Sequence, residues 1–271
     1  MKLTILWAVA LLSLLGLNAC DQSDPAPPTT ADKLTWQGRT WNIKSSTGLV
    51  GPGTNYFSNS TSDVYVGTDG NLHLNIVKRL GNWYSTEVVS DDVVGYGEYK
   101  WTVLTDFDKL DPYTIIGLFT WDNNLDQANT EIDIEMARWG VAGDSTNVQF
   151  TVQPSNSGQY NERVSRGRVP STGPTTHVFR WKANLIEWVS FQGTDTSGKA
   201  SFRFRYKGNN VPRTKNVSGK SSQPITIPTP TSATNIRMNF WTMGSEFRRE
   251  PGPGNAKVSE IILKSFSYTP Y

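Results

Sequence analysis

The feature that most limits how this chain can fold is an apolar period of two. Leu72-His73-Leu74-Asn75-Ile76, Tyr99-Lys100-Trp101-Thr102-Val103, Val178-Phe179-Arg180-Trp181 and Ile236-Arg237-Met238-Asn239-Phe240 each put an apolar side chain at every second position. Alternation of aromatic and β-branched residues is the signature of a strand with one buried face. Further strand candidates are 64–67, 83–89, 115–121, 131–138, 148–152, 185–191, 200–206 and 257–268. Turn material separates them: Gly51-Pro52-Gly53, Thr68-Asp69-Gly70, Thr196-Ser197-Gly198 and Pro251-Gly252-Pro253-Gly254. Beyond the N-terminal segment, no stretch keeps a helical apolar period for three turns. The expectation is an all-β domain of two packed antiparallel sheets, a sandwich or jelly roll. No internal repeat is visible. Residues 207–234, with Lys207, Arg213, Lys215 and Lys220, read either as the rim of a binding site or as a solvated connection.

Charge and composition remove several function classes. Lys and Arg total 26 against 24 Asp and Glu, so the chain is near neutral and is not expected to bind nucleic acid, which needs clustered cations. One cysteine excludes a disulfide framework and a thiolate metal cluster. The two histidines, His73 and His177, leave little for a zinc or iron site, and no cofactor is expected. Both lie in alternating strand sequence and read as satisfied or exposed strand residues rather than as members of a Ser-His-Asp arrangement. Gly95-Tyr96-Gly97 is not followed by a helix-forming segment, so it is no phosphate loop. Ten Trp, 10 Tyr and 11 Phe supply flat apolar surfaces of the kind that suits sugars.

The N-terminus reads as an address. Lys2 precedes an uncharged run, Thr4 to Ala19, that is shorter than the ~20 residues a spanning helix needs. It ends in Leu17-Asn18-Ala19-Cys20, which resembles the lipobox of bacterial lipoproteins. That resemblance implies cleavage before Cys20, lipidation there, and an extracytoplasmic domain anchored in the cell envelope, with membrane contact through the lipid only. Residues 20–33, polar and Pro-rich, read as a tether, and the folded domain is expected over 34–271 as a monomer.

The chemistry is expected in Glu131-Ile132-Asp133-Ile134-Glu135. On a strand, positions i, i+2 and i+4 share a face, so the three carboxylates project together while Ile132 and Ile134 enter the other side. Such a row is either the solvated face of an amphipathic strand or a functional site, and like charges in a row bring no structural gain. Two Glu four residues apart lie ~13 Å apart at Cα, and leaning side chains can close most of that gap. Retaining glycosidases hold their carboxyls about 5–5.5 Å apart and inverting ones roughly 6.5–9.5 Å, and the convergent tips fit the closer spacing better. Asp133 between them can share a proton with one Glu and help keep the other protonated.

The same five residues resemble the ExDxE signature of family 16 glycoside hydrolases, in the form found in lichenases and xyloglucan transglycosylases. Trp83-Tyr84-Ser85-Thr86-Glu87 with Gly95-Tyr96-Gly97-Glu98-Tyr99 resembles a further block of that family. So do Leu118-Phe119-Thr120-Trp121 before the triplet, Asn147-Val148-Gln149-Phe150 after it, and Met238-Asn239-Phe240-Trp241 near the C-terminus. The resemblance runs along most of 41–268. It implies a jelly roll with a sugar-binding groove, and hydrolysis of a β-linked polysaccharide with retention. By position, Glu131 would be the nucleophile, Asp133 its helper and Glu135 the general acid/base. Asn55, Glu87, Phe119, Trp121, Gln149, Asn239 and Trp241 match positions that line or adjoin the groove. Trp101 and Trp181, on strongly alternating strands, read instead as core. Structural calcium is known in the family, but no Asp-rich loop here calls for it and none is assigned.

Departures from the lichenase pattern bear on substrate. Asn129-Thr130 replaces Trp-Asp before the first Glu, Val89 replaces an Arg, and Thr151-Val152-Gln153 replaces Asn-Tyr-Tyr. Arg138-Trp139-Gly140 reads either as a source of groove contacts or as a plain strand end. A surface carbohydrate-binding protein and a transglycosylase on the same fold are the alternatives to a hydrolase. Binding-only relatives have usually lost a catalytic Glu, and both are present here.

Overall fold

The alternation becomes burial. In β5 (Leu72–Arg79), Leu72, Leu74 and Ile76 are wholly buried, while Asn75 and Val77 between and beyond them are partly exposed. Each such buried aliphatic side chain contributes about 1.5–3 kcal/mol by leaving water, and the chain repeats the pattern strand after strand. The computed structural model describes residues 28–122, 131–153, 164–207, 227–243, 253–254, 257 and 259–271. The expected leader with Cys20, the Asn129-Thr130 pair and most of the 207–234 segment lie outside the described residues.

Sixteen strands and one 3-10 turn, Phe107–Lys109, are present among the described residues. One half of the sheet runs β11 (Val164–Gly167), β10 (Val148–Val152), β9 (Ile132–Ala137), β8 (Thr114–Asp122), β15 (Thr234–Thr242) and β6 (Asn82–Ser90), with β2 (Arg39–Ile43) and β1 (Lys33–Trp36) attached along β6. The other half runs β5, β16 (Ser259–Pro270), β7 (Gly97–Val103), β12 (Thr175–Lys182), β13 (Leu185–Gln192) and β14 (Ala200–Lys207), with β4 (Val64–Val66) on β5. All pairings are antiparallel except that of β3 (Tyr56–Phe57) with β6. Strand β6 is the fold line: its first residues pair with β5 and its later ones with β15 and β2.

The two halves therefore face each other as a sandwich. Phe150 of β10 stacks on Trp188 of β13 (centroids 5.9 Å) and on Phe202 of β14 (4.7 Å), and Trp41 of β2 meets Phe266 of β16 edge-on at 5.7 Å. Trp101 and Trp181 are fully buried in this core, as the alternation predicts. His177 is buried with its ring nitrogens against Ser190 Oγ and Thr175 Oγ1. His73 is held between Glu260 and Asp69 under the ring of Tyr65. The outer face of the second half carries a charged row, Glu98–Arg180–Glu187–Arg205, across β7, β12, β13 and β14. That face is satisfied by its own ion pairs.

Four strands have no counterpart among the sequence-based candidates: β1, β2, β3 and β11. They have two to five residues each. Ahead of β1, Thr30 bridges Ser60.

Candidate active site

The register of five strands assembles the site. Directly opposite residues on antiparallel strands share a face, and one row reads Gln149, Glu135, Gly117, Asn239, Glu87 across β10, β9, β8, β15 and β6. The next row reads Thr151, Asp133, Phe119, Arg237, Val89 across the same strands. A third pairs Trp241 with Ile115 and Ala137. All lie on the face of the first half turned away from the core, because Ile132, Ile134 and Met136 of β9 are buried in the sandwich on the other side.

A cavity of about 340 Å³ opens on this face, and Glu131, Asp133 and Glu135 line it together. Phe119, Trp121 and Trp241 form its apolar wall, and Lys44, Glu87, Arg237 and Asn239 its polar one. Glu131 stands one residue ahead of β9, where its carbonyl accepts from Gln153 N at 3.0 Å and Ile132 N donates to Thr120 Oγ1 at 3.2 Å. Those two bonds continue the ladder past the end of the strand and fix the first carboxylate in register with the other two.

Gly117 sits between Glu135 and Asn239 and leaves the space that the Asn239 amide occupies. A Cβ there would stand 2.4 Å from Asn239 Oδ1. At the other end of the groove Gly53, at φ +64°, packs on Trp241, and a Cβ would lie 2.4 Å from the indole. Trp139, directly after the triplet strand, meets Trp241 edge-on at 6.3 Å, so the Arg138-Trp139-Gly140 segment braces a groove wall from the side.

Burial raises the proton affinity of all three carboxyls. Glu131 is pushed up to about 8 by desolvation, then by repulsion from Glu135, with Arg237 pulling the other way. Asp133 rises well above the usual carboxylate range by desolvation and repulsion from both neighbours. Glu135 is pushed up to about 7 by desolvation, opposed by hydrogen bonds from Gln149 and Thr151. Asp133 and Glu131 share a side-chain hydrogen bond that favours the proton on Asp133 and the charge on Glu131. Gln149 Nε2 donates to Glu135 at 2.8 Å and Gln153 Nε2 to Asp133 at 3.2 Å. A row of carboxyls that hold their protons beyond the usual carboxylate range can offer a proton donor beside a carboxylate, which is what general acid–base work beside a nucleophile requires.

The residues singled out from sequence fall into three groups. Glu131, Asp133, Glu135, Glu87, Phe119, Trp121, Asn239 and Trp241 line the cavity. Gln149 reaches it through Glu135. Asn55 does not line it: its side chain, 4% exposed, donates to Pro52 O and Thr242 O at 2.8 Å each and accepts from Thr242 Oγ1. It holds the 51–54 turn to β15 from behind the wall. Glu87 is enclosed, with Arg237 at 3.1 Å, Lys44 at 3.1 Å and Asn239 at 3.3 Å. Lys44 and Arg237 were not among the candidates. Arg237 was legible in principle, two residues before Asn239 and four before Trp241 on one strand face, but Lys44 follows its strand with no pattern to mark it.

No protein-family model and no curated protein matches the chain. Solved structures do match its fold. A β-glucanase of Bacillus licheniformis superposes with a TM-score of 0.59 at 17% identity, covering 90% of this chain and all of that one. SCLam, a non-specific endo-β-1,3(4)-glucanase from family GH16, does so at 0.55 and 15% identity over 84% of this chain and 83% of its own. A Mycobacterium tuberculosis protein described as an immunostimulatory antigen and pseudo β-1,3-glucanase gives 0.61 at 12% identity, with 90% and 96% covered. The architecture is therefore the all-β jelly roll of these glucanase structures.

Proposed function

We propose that the protein is a retaining, endo-acting glycoside hydrolase of a β-linked polysaccharide, with β-glucans as the nearest substrate class. The observation that carries this reading is the row of three carboxyls with raised proton affinity, Asp133 buried and Glu131 and Glu135 partly so, on the floor of an aromatic-walled groove. An amphipathic strand with a merely solvated face has no reason to draw three acids together out of water, and their desolvation destabilises the fold. The fold shared with glucanases and the resemblance of the triplet to ExDxE support the same chemistry.

In this reading a pyranose stacks against the indole of Trp121 or Trp241. Glu131, hydrogen-bonded by Asp133, attacks the anomeric carbon, and the bond to the leaving sugar oxygen breaks as Glu135 gives that oxygen its proton. Glu135, now a carboxylate, takes a proton from water, whose oxygen displaces Glu131 from the sugar. The site then stands as it began.

The test is a panel of polysaccharides, β-glucans, xyloglucan, agar, carrageenan and β-galactans, offered to the protein and to Glu131→Gln. Oligosaccharides released only by the wild type, with retained anomeric configuration by NMR, are expected. Binding of a glycan by both proteins with products from neither would instead establish a carbohydrate-binding protein. We further propose that Cys20 carries a lipid that tethers the domain to the bacterial cell envelope. Cys20→Ser is expected to move the protein from the membrane fraction to the soluble one, and continued retention there would overturn the assignment.

A further inference from the structure

We infer that the outer face of the second half of the sandwich, over β7, β12, β13 and β14, docks on an anionic phospholipid surface. Side chains of these strands alternate between the core and that face, with Trp101, Phe179, Trp181 and Trp188 buried inside. Three rows point outward. The middle one, Glu98–Arg180–Glu187–Arg205, holds two acids and two cations and is neutral. On one side of it Lys182, Leu185 and Lys207 lie across from one another. On the other side the row reads Lys100, Val178, Val189, Arg203. The two flanking rows carry four cations and no acid, and Asp195 and Lys199 in the turn joining β13 to β14 cancel.

The near-neutral total conceals this segregation. The whole chain carries +2, so with +4 on this face everything else sums to −2. The two acids pair with Arg180, Arg203 and Arg205, which leaves Lys100, Lys182 and Lys207 outside the ion pairs found among the described residues. Lys182 and Lys207 are exposed, and Lys182 Nζ lies 4.8 Å from the ring centre of Tyr271, itself exposed. Tyrosine beside lysine suits the headgroup level of a bilayer. With ~4.8 Å between strands and ~6.8 Å between rows, the patch measures roughly 14 Å each way. Lysine is a point charge that asks for no fixed geometry, so mobile headgroups can gather beneath each one, whereas a folded partner needs acids at matching positions. The chain also enters within reach. Thr30 bridges Ser60 ahead of β4, which stands three strands from β7 in the sheet, and residues 20–29 span at most ~35 Å when extended. The lipid proposed at Cys20 and the basic face can therefore meet one bilayer, and two attachments hold where one is marginal. The groove opens on the outer face of the other half, so it points away from that bilayer toward a polysaccharide. The charge on the face depends neither on the lipid nor on the groove's chemistry.

The test uses residues 20–271, which contain every strand, made without the lipid. Vesicles of phosphatidylcholine alone, or of two parts phosphatidylcholine to one of phosphatidylglycerol, are offered, and bound protein is read by sedimentation. Binding to the phosphatidylglycerol vesicles only is expected, and it should weaken steeply as NaCl rises from about 0.05 to 0.5 M. A triple variant, Lys100→Gln with Lys182→Gln and Lys207→Gln, should bind about 100-fold more weakly, roughly fivefold for each cation removed, with thermal unfolding little changed. Lys207→Glu alone, at the exposed end of β14, is measured beside it and should lose about fivefold or more, so the question stays answerable if the triple variant does not fold. Equal binding to both kinds of vesicle, binding to neither, or variants that bind as the wild type does would each overturn the inference. Binding of dextran sulfate by a protein that ignores the vesicles would overturn it too and assign the face to an acidic polymer. The chain offered bears no lipid and no glycan is cut, so the Cys20 assignment and the glycosidase reading stand or fall separately.

Discussion

Each carboxyl of the triplet is individually ordinary, and its surroundings give it a role. Glu135 accepts from Gln149 Nε2 at 2.8 Å and lies across the strand from Gly117, so nothing with a side chain stands over it on that strand. If it protonates the departing oxygen, its removal should matter in proportion to how much help the leaving group needs. Glu135→Ala is expected to lower kcat on a natural β-glycan by 10²-fold or more and on an aryl glycoside with an acidic phenol by far less. Equal losses on both, measured side by side, would take the proton donor's role away from Glu135. At this scale the sequence was informative where chemistry follows the strand period: Glu131, Asp133 and Glu135 are adjacent in space because they are alternate in sequence. It was misleading at Asn55, whose position matches a groove residue but whose amide is fully engaged by Pro52 and Thr242. Nothing in the local sequence reveals that a 187-residue separation closes onto that one side chain.

Strand β8 is the element on which the site turns. It alternates Ile115, Gly117, Phe119 and Trp121 toward the groove with Ile116 and Leu118 toward the core, and it lies between the acid strand β9 and the polar strand β15. The gap at Gly117 lets Asn239 reach across the row. Gly117→Ala is expected to displace Asn239 and lower kcat/KM by about tenfold, since an ångström-scale misplacement at a site is felt that strongly. Thermal unfolding should move by only a few degrees, because the methyl meets a side chain on the groove face and leaves the core untouched. A large loss of stability with activity per folded molecule unchanged would show that Gly117 serves packing alone. The long strands β5, β7, β8, β9, β12, β13, β15 and β16 were legible because each carries several periods of two. The short strands β1, β2, β3 and β11 were not, because they are held by their neighbours rather than by their own pattern; β11, for example, pairs with β10 over four residues.

The whole molecule carries two groups of buried titratable side chains that pull its stability in opposite directions with pH. The triplet has folded-state proton affinities raised by burial, to about 8 at Glu131 and about 7 at Glu135 from 4.5. The folded state holds these protons longer than the unfolded chain, so their contribution is fully present below about pH 4.5 and is lost as pH rises through 7 to 8. His177 has the opposite sign. Burial without a charged partner lowers it from 6.5 to about 3, and its ring nitrogens are occupied by Ser190 and Thr175. The unfolded chain binds that proton first, so the contribution of a neutral His177 is present above pH 6.5 and is lost as pH falls toward 3. A shift of that size corresponds to about 5 kcal/mol over the full window. Between pH 4.5 and 6.5 the two windows overlap, and there the raised carboxyls outnumber the single imidazole, so stability is expected to peak near pH 4.5 and to fall as pH rises. Urea unfolding across pH 3 to 9 checks this directly. Glu131→Gln should flatten the alkaline limb and, at pH 8, make the protein more stable than wild type by on the order of 2 kcal/mol. His177→Gln, keeping one hydrogen bond and no titratable proton, should flatten the acid limb and leave the alkaline one as it was. A wild-type maximum above pH 7, or an alkaline limb untouched by Glu131→Gln, would mean that the groove does not bear the stored charge that its chemistry requires.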